Sequence, residues 1–237
     1  MSNLKTFRHE FKYYINYFQY ELLKRRLNVV LKHDKYADDN GDYHIRSLYF
    51  DDINNTALFE KQAGILARNK FRIRIYNIND NVIKLEKKSR VGQFIHKESA
   101  TLTKEEYIKV VDNNIEFLKL SSNKLLNEFY FNIVSFSLKP NVIVDYIREA
   151  YISDINNIRI TFDKYLKTGL YKTDIFDKDI PTIDVIEEPK MILEVKYDHF
   201  LPDYIKSILQ IDSSQRWAIS KFVICKKFTK LNSWEDN

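Results

Sequence analysis

The sequence predicts an α+β fold, an antiparallel sheet closed into a barrel with helices flanking it. Three observations carry the prediction. Several stretches alternate charged and apolar residues with period two, the mark of strands whose two faces meet different surroundings. The charged faces repeat Arg and Lys on strand after strand, and closing the sheet would turn all of them toward one lumen. Helical spacings and capping signals lie between groups of strands. At 237 residues the chain can bury a sizeable core, and one domain over residues 1–237 is expected.

Residues 6–14 read as a strand, with Arg8, Glu10 and Lys12 on one face and Phe7, Phe11 and Tyr13 on the other. Asn16 is an N-cap for a helix to about Leu31, with Phe18, Leu22, Leu23, Leu27 and Val30 as its apolar stripe. Residues 32–42 are polar and turn-like, and 43–50 form the next strand. Residues 51–55 cap a short helix at 56–62, and 63–69 link it to a hairpin. In the hairpin Arg72 and Arg74 oppose Phe71, Ile73 and Ile75. After an Asn/Asp turn at 77–81, Lys84, Glu86 and Lys88 oppose Ile83 and Leu85.

Residues 92–102 continue the sheet, with Ile95 and Lys97 on one face. Thr103 and Glu106 form a capping box for a helix at 104–111. Leu125, Leu126, Phe129 and Ile133 mark a second helix within 120–137, and both helices are expected on one side of the sheet. Residues 140–151 return to strand, with Val142, Val144, Tyr146 and Arg148 on one face. Asn156 and Asn157 turn the chain, and 158–164 runs back with Arg159, Thr161 and Asp163 opposite Ile158, Ile160 and Phe162. Residues 168–182 are irregular. In 191–197, Glu194 and Lys196 oppose Leu193 and Val195. Pro202 opens a helix to about Leu209, and 220–231 is a closing amphipathic helix.

Composition excludes several classes. With 44% hydrophobic and 30% charged residues the chain is globular rather than disordered. Four Gly, none in a phosphate-loop pattern, exclude Gly-rich nucleotide loops. A single cysteine, Cys225, excludes an intrachain disulfide and a thiolate metal cluster. None of the five His stands in a metal or triad spacing, so all are read as structural. No apolar run approaches membrane-spanning length and the N-terminus lacks a signal-like core, so a soluble, cytoplasmic protein is expected. The net charge of +5 suits an anionic ligand without implying nucleic acid.

Many cations around one lumen need an anion. Two unit charges 4 Å apart repel by about 4 kcal/mol at an effective dielectric of 20. Phosphate suits such a lining, since Arg binds it bidentately and Lys as a point charge. The few carboxylates among the cations would recruit Mg²⁺ or Mn²⁺.

Glu10-x-Lys12, Arg72-x-Arg74, Leu85-Glu86-x-Lys88, Tyr146-x-Arg148-x-Ala150-Tyr151, Arg159-x-Thr161-x-Asp163, Leu193-Glu194-x-Lys196-Tyr197 and Ser220-Lys221-Phe222 follow one another in this order. The set resembles the VTC domain, the polyphosphate polymerase domain of the triphosphate tunnel metalloenzyme (CYTH) superfamily. The resemblance covers about residues 7–228. It implies an eight-stranded antiparallel tunnel that binds ATP and inorganic polyphosphate. The implied activity is transfer of the terminal phosphate of ATP to a polyphosphate chain, with Mn²⁺ or Mg²⁺ as cofactor. Arg72, Arg74, Arg148 and Arg159 would be the catalytic cations. Lys12, Lys84, Lys88, Lys97, Lys196 and Lys221 would bind phosphate, Lys221 at a tunnel mouth. Glu194, Glu10 and Glu86 would be the metal carboxylates, with Glu86 ranking behind Glu194 and orienting the lining lysines instead. Lys87, Lys88 and Arg90 offer registers that compete with Lys84 and Lys97.

The chain departs from the triphosphatase members at its first strand, where Arg8 stands in place of the first Glu of a Glu-x-Glu-x-Lys motif. That favours a longer phosphate ligand over simple hydrolysis. A free-standing form is expected, without a phosphate-sensing domain or membrane segment. Two other readings remain: an inorganic or nucleoside triphosphatase, and a non-catalytic polyphosphate or nucleotide sensor. Nucleic acid is not an expected partner, because the aromatics lie on core faces rather than beside the cations.

Overall fold

The computed structural model describes residues 8–92, 94–170, 172–187, 189–210 and 216–231. The strands are β1 (Arg8–Asn16), β2 (Lys32–His33), β3 (Asp42–Asp51), β4 (Ala67–Tyr76), β5 (Asn79–Val91), β6 (Phe94–Leu102), β7 (Lys139–Ser153), β8 (Ile158–Gly169), β9 (Thr182–Asp184) and β10 (Lys190–Asp198). The helices are α1 (Tyr17–Val30), α2 (Thr56–Gln62), α3 (Lys104–Val111), α4 (Glu116–Lys119), α5 (Lys124–Phe136), α6 (Asp203–Leu209) and α7 (Lys221–Leu231). The α+β class, the antiparallel pairing and the flanking helices are as the sequence predicts. The chain divides into two compact units, one of residues 1–43, 146–166 and 186–220, the other of 44–145, 167–185 and 221–237.

In the first unit the strand order is β1-β10-β8-β7, with β2 against β7. Period-two alternation sends Tyr13, Ile15, Leu193, Val195, Ile158, Ile160 and Phe162 into one core with Tyr20, Leu23 and Leu27 of α1 and Ile205 and Leu209 of α6. Each such side chain contributes about 1.5–3 kcal/mol by leaving water. α1 starts where expected. Asn16 accepts from the Gln19 amide at 2.8 Å, and the Gln19 side chain accepts from the Asn16 amide at 2.9 Å. Its buried face differs from the stripe read from sequence. Tyr20 is buried, whereas Phe18 is 76% exposed and Leu22 and Val30 are exposed. The tyrosine turns inward because its hydroxyl donates to the buried Glu149 carboxylate at 2.6 Å, which Tyr151 also reaches at 2.7 Å. Asn156 and Asn157 make the β7–β8 turn with φ of 52° and 48°, a left-handed conformation that Asn tolerates well.

In the second unit the order is β7-β3-β4-β5-β6, and β9 pairs antiparallel with the end of β8. Phe71, Ile73, Ile75, Ile83 and Leu85 bury one sheet face under Leu125, Leu126, Phe129 and Ile133 of α5 and Tyr107 and Val110 of α3. Thr103 and Glu106 make the capping box read from sequence. Asp52 and Asp51 cap α2 by accepting from the Thr56 and Ala57 amides at 2.9 Å. β4 begins at Ala67, so the expected 63–69 linker is partly strand, and the hairpin turn is only Asn77–Ile78, both at positive φ. α4 was not predicted, and β8 runs on to Gly169. Arg46 donates to the carbonyls of Ile175 and Asp177, tying down part of the irregular segment. Thr6 and Phe7 of the predicted first strand lie outside the described residues. No helix among the described residues is long and apolar enough to cross a membrane.

Candidate anion-binding site

The predicted residues gather in two clusters, one in each unit. In the first unit the β1/β10 register sets Lys12 opposite Glu194 and Glu10 opposite Lys196. Direct cross-strand pairs of opposite charge are favourable, and residues two apart share the face. Lys12 Nζ lies 3.1 Å from Glu10 and 3.9 Å from Glu194. Lys196 Nζ pairs with Glu194 and lies 3.9 Å from Glu10. Each ammonium therefore serves both carboxylates. Burial works against the Lys12 charge, but Glu194 and Glu10 outweigh it and hold the ammonium above the usual lysine range. Lys12 also donates to the Ile219 carbonyl at 3.3 Å.

Arg148 is fixed beside them. It forms a fork with Asp163, at 2.6 Å and 2.8 Å, and lies 3.9 Å from Glu194. Its guanidinium stacks over Tyr146 at 5.4 Å. Burial opposes its charge, and the Asp163 carboxylate restores it, so Arg148 stays cationic. Arg159 is paired with Asp34 at 2.6 Å and donates to the Tyr43 hydroxyl at 2.7 Å.

This cluster can be tested for a divalent cation. Glu194 and Glu10 supply hard oxygen atoms, and the buried Thr161 hydroxyl, opposite Glu194 in the β10/β8 register, has no hydrogen-bond partner among the described residues. Asp163 is committed to Arg148. Among the described residues no three His, Cys, Asp or Glu form a metal-holding group. The donors fit a Mg²⁺- or Mn²⁺-sized ion held by one or two carboxylates together with phosphate oxygens, the usual habit of Mg²⁺. They do not make an all-protein cage.

In the second unit the register builds rows across β3, β4, β5 and β6. Tyr49, Arg72, Glu86 and Ser99 form one row; Ser47, Arg74, Lys84 and Thr101 form the next. Glu86 is almost fully buried. It accepts from Arg72 Nε at 2.7 Å and Nη2 at 2.6 Å and pairs with Lys97 on its other oxygen. Burial would raise its pKa, but Arg72, Arg74 and Lys97 together hold it well below the carboxylate range. Arg72 also donates to the Tyr49 hydroxyl at 2.7 Å, and Arg74 donates to Ser47 Oγ at 3.0 Å. Lys84 has no carboxylate partner among the described residues and faces Arg74 directly. Glu86 thus sits as a counter-ion that orients Arg72 and Lys97, with both oxygens already engaged by cations.

Lys88 and Lys97 are cross-strand neighbours on the exposed part of this face. Lys221 opens α7, whose Phe222 packs against Tyr49 with ring centroids 5.1 Å apart. Of the competing registers, Lys87 is excluded from the cationic face. It points to the helix side, where it pairs with Glu128 and Glu98. Four residues had no role in the sequence reading: Asp163 and Asp34, partners of Arg148 and Arg159, and Arg68 and Lys70, further cations; Arg90, a competing register there, lies opposite Arg68. Arg68 and Lys70 share the parity of Arg72 and Arg74; the 63–69 linker hid Arg68, whereas Lys70 stood in the predicted hairpin without a role. Arg8 lies in β1, and its side chain is outside the described residues.

Among solved structures the chain is similar to a putative adenylyl cyclase from Hippeastrum with a dominant triphosphatase activity, at 14% identity over 94% of this chain and 96% of that one, with a TM-score of 0.53. It is similar to the PH1012 protein of Pyrococcus horikoshii OT3, at 12% identity, 92% and 99% coverage and a TM-score of 0.51. It is also similar to a putative adenylate cyclase of Bacillus halodurans, at 13% identity, 89% and 92% coverage and a TM-score of 0.50. At these identities the likeness shows a shared fold. No curated protein matches the sequence. The VTC domain family matches residues 7–230, nearly the whole chain, and the chain belongs to that family.

Proposed function

We propose that this protein is a metal-dependent polyphosphate polymerase that transfers the terminal phosphate of ATP to a polyphosphate chain. The observation that carries the reading is the charge imbalance on the β4–β6 face. Among the described residues of this face, Arg72, Arg74, Lys84, Lys88 and Lys97 share the carboxylate Glu86 as neighbour, and it already accepts from Arg72 and Lys97. That excess calls for a ligand with several negative charges. VTC family membership supports the same substrate class.

The reaction is in-line phosphoryl transfer. A terminal oxygen of the polyphosphate attacks the γ-phosphorus of ATP, a new P–O–P bond forms, the β–γ bond breaks, and ADP leaves. Such transfers depend on positioning and charge neutralisation more than on covalent chemistry. Arg72 and Arg74, held by Glu86, Tyr49 and Ser47, grip phosphate oxygens in a fixed orientation. Arg148 and Arg159, held by Asp163 and Asp34, do the same in the other cluster. Lys12 and Lys196 offset the charge of Glu10 and Glu194 and offer ammonium groups to phosphate, and Lys221 adds a cation at the start of α7. A Mg²⁺ or Mn²⁺ ion on Glu194 and Glu10 would supply charge neutralisation at the phosphate oxygens.

Incubation with ATP and Mn²⁺ tests this, with products resolved on a gel. A ladder of polyphosphate is expected. ADP and inorganic phosphate alone would favour a second reading, a triphosphatase with water as acceptor, which the activity of the Hippeastrum relative recommends. Binding without turnover over several metals would point to a sensor.

A further inference from the structure

The cationic face continues past the residues used above. Lys70 precedes Arg72 by two positions and shares its face of β4. Lys88 lies directly opposite Lys70 on β5, and Lys97 directly opposite Lys88 on β6. One row further out, Arg68 faces Arg90. Like charges placed directly across a sheet are destabilising, so these rows are built against folding stability. Lys97 is turned toward Glu86. Lys70 has no carboxylate within 4.0 Å among the described residues, and its ammonium rests 4.5 Å from the Phe222 ring centroid.

The charged groups acting on Lys70 come from four elements. Lys61 approaches from α2, Arg68 from its own strand, Lys88 from β5 and Asp51 from β3. Asp51 already accepts from the amides of Asp52 and Ala57 at the start of α2. Three cations and one committed carboxylate leave a position that an anion would complete. The Lys70 row lies four residues from the Arg74 row along β4, about 13 Å at strand rise. A ligand anchored at Arg74 must be long to reach it.

We propose that Lys70, with Lys88 opposite, forms a phosphate subsite that engages only chains longer than a triphosphate, so that Lys70 sets the preference for long polyphosphate. The proposal rests on the reading of the Arg72–Arg74 face as phosphate-binding. It carries a consequence for protons. Burial, Lys61 and Arg68 bring the pKa of Lys70 down to about 7, so the empty site is only partly charged at neutral pH. An arriving phosphate restores the charge, and binding takes up a proton.

Calorimetric titration of the full chain with tripolyphosphate and with long-chain polyphosphate tests this, just above the Lys70 pKa of about 7, in two buffers of different protonation enthalpy. Wild-type protein should bind the long chain more tightly and with proton uptake. Lys70→Met keeps the aliphatic stem over Phe222. It should weaken long-chain binding roughly tenfold, the scale of one charged contact, and leave tripolyphosphate binding unchanged. Lys70→Arg should keep the long-chain affinity without the proton uptake, and it decides the matter if the Met variant does not fold. Unchanged long-chain affinity in Lys70→Met, an equal loss for both anions, or proton uptake persisting in Lys70→Arg would overturn the subsite. Wild-type protein that binds tripolyphosphate but shows no preference for the long chain overturns the subsite alone. Failure to bind either anion would overturn the phosphate reading with it.

Discussion

Arg148 on β7 and Asp163 on β8 meet in a fork of two hydrogen bonds, Nε to Oδ1 at 2.6 Å and Nη2 to Oδ2 at 2.8 Å, with the carboxylate fully buried. The fork fixes the plane of the guanidinium before any ligand arrives. Removing one partner of such a pair leaves an uncompensated buried charge, at a cost of about 3–5 kcal/mol. Asp163→Ala should lose that much in urea unfolding, besides losing phosphate binding. A loss below about 1 kcal/mol would mean the pair is solvated and does no positioning.

Glu194 and Glu86 should separate in metal titrations. Glu86 has Arg72 in close contact on one oxygen and Lys97 on the other, whereas Glu194 is met closely by Lys196 on one oxygen and only at 3.9 Å by Lys12 and Arg148 on the other, opposite a Thr161 hydroxyl with no hydrogen-bond partner among the described residues. Glu194→Gln is expected to raise the Mn²⁺ concentration needed for half-maximal activity at least tenfold. Glu86→Gln is expected to lower turnover with that concentration unchanged. A matching shift in both variants would make Glu86 a ligand.

Lys84 faces Arg74 across the β4–β5 pair without a carboxylate partner among the described residues. Lys84→Met should leave the melting temperature unchanged or raise it, since it removes a like-charge contact. The same change should weaken polyphosphate binding and flatten its dependence on salt. Intact affinity with an unchanged salt slope would place Lys84 outside the anion site.

Acid should unfold the protein partly through Glu149. Burial pushes this carboxyl up, but the Tyr20 and Tyr151 hydroxyls and the Lys164 and Lys24 ammoniums outweigh it and depress the folded-state pKa. A depressed carboxyl contributes stability above its unfolded pKa of about 4.3, and that contribution is lost as pH falls through the folded value. Unfolding free energies measured from neutral to acidic pH should therefore drop on the acid side. Glu149→Gln should lower the neutral plateau and shallow the acid slope. Parallel curves for the two proteins would contradict this role.

Local signals in the sequence carried most of the fold. Asn16 announced a helix start as an N-cap and Thr103 through a capping box, and period two sorted Phe71, Ile73 and Ile75 from Arg72 and Arg74. The misreadings came from tertiary partners. Tyr20 replaced Phe18 on the buried side of α1 because Glu149, 129 positions away, gives its hydroxyl an acceptor. Lys87, a register the sequence left in competition, is excluded only by its pairing with Glu128 on α5. The cationic site residues were legible as residue types on strand faces. Their fixed orientation was not, because Asp34 comes from a distant stretch of chain and Asp163 meets Arg148 only once β7 and β8 fold back on each other. Nor does periodicity reveal that the strands share two separate cores.

Polyphosphate synthesis from ATP and Mn²⁺ by the wild-type protein and by Arg74→Ala tests the central claim most directly. A product ladder from wild-type protein, lost in a folded Arg74→Ala variant, is the predicted result. ADP and inorganic phosphate without a ladder, or a ladder that survives the substitution, would contradict it.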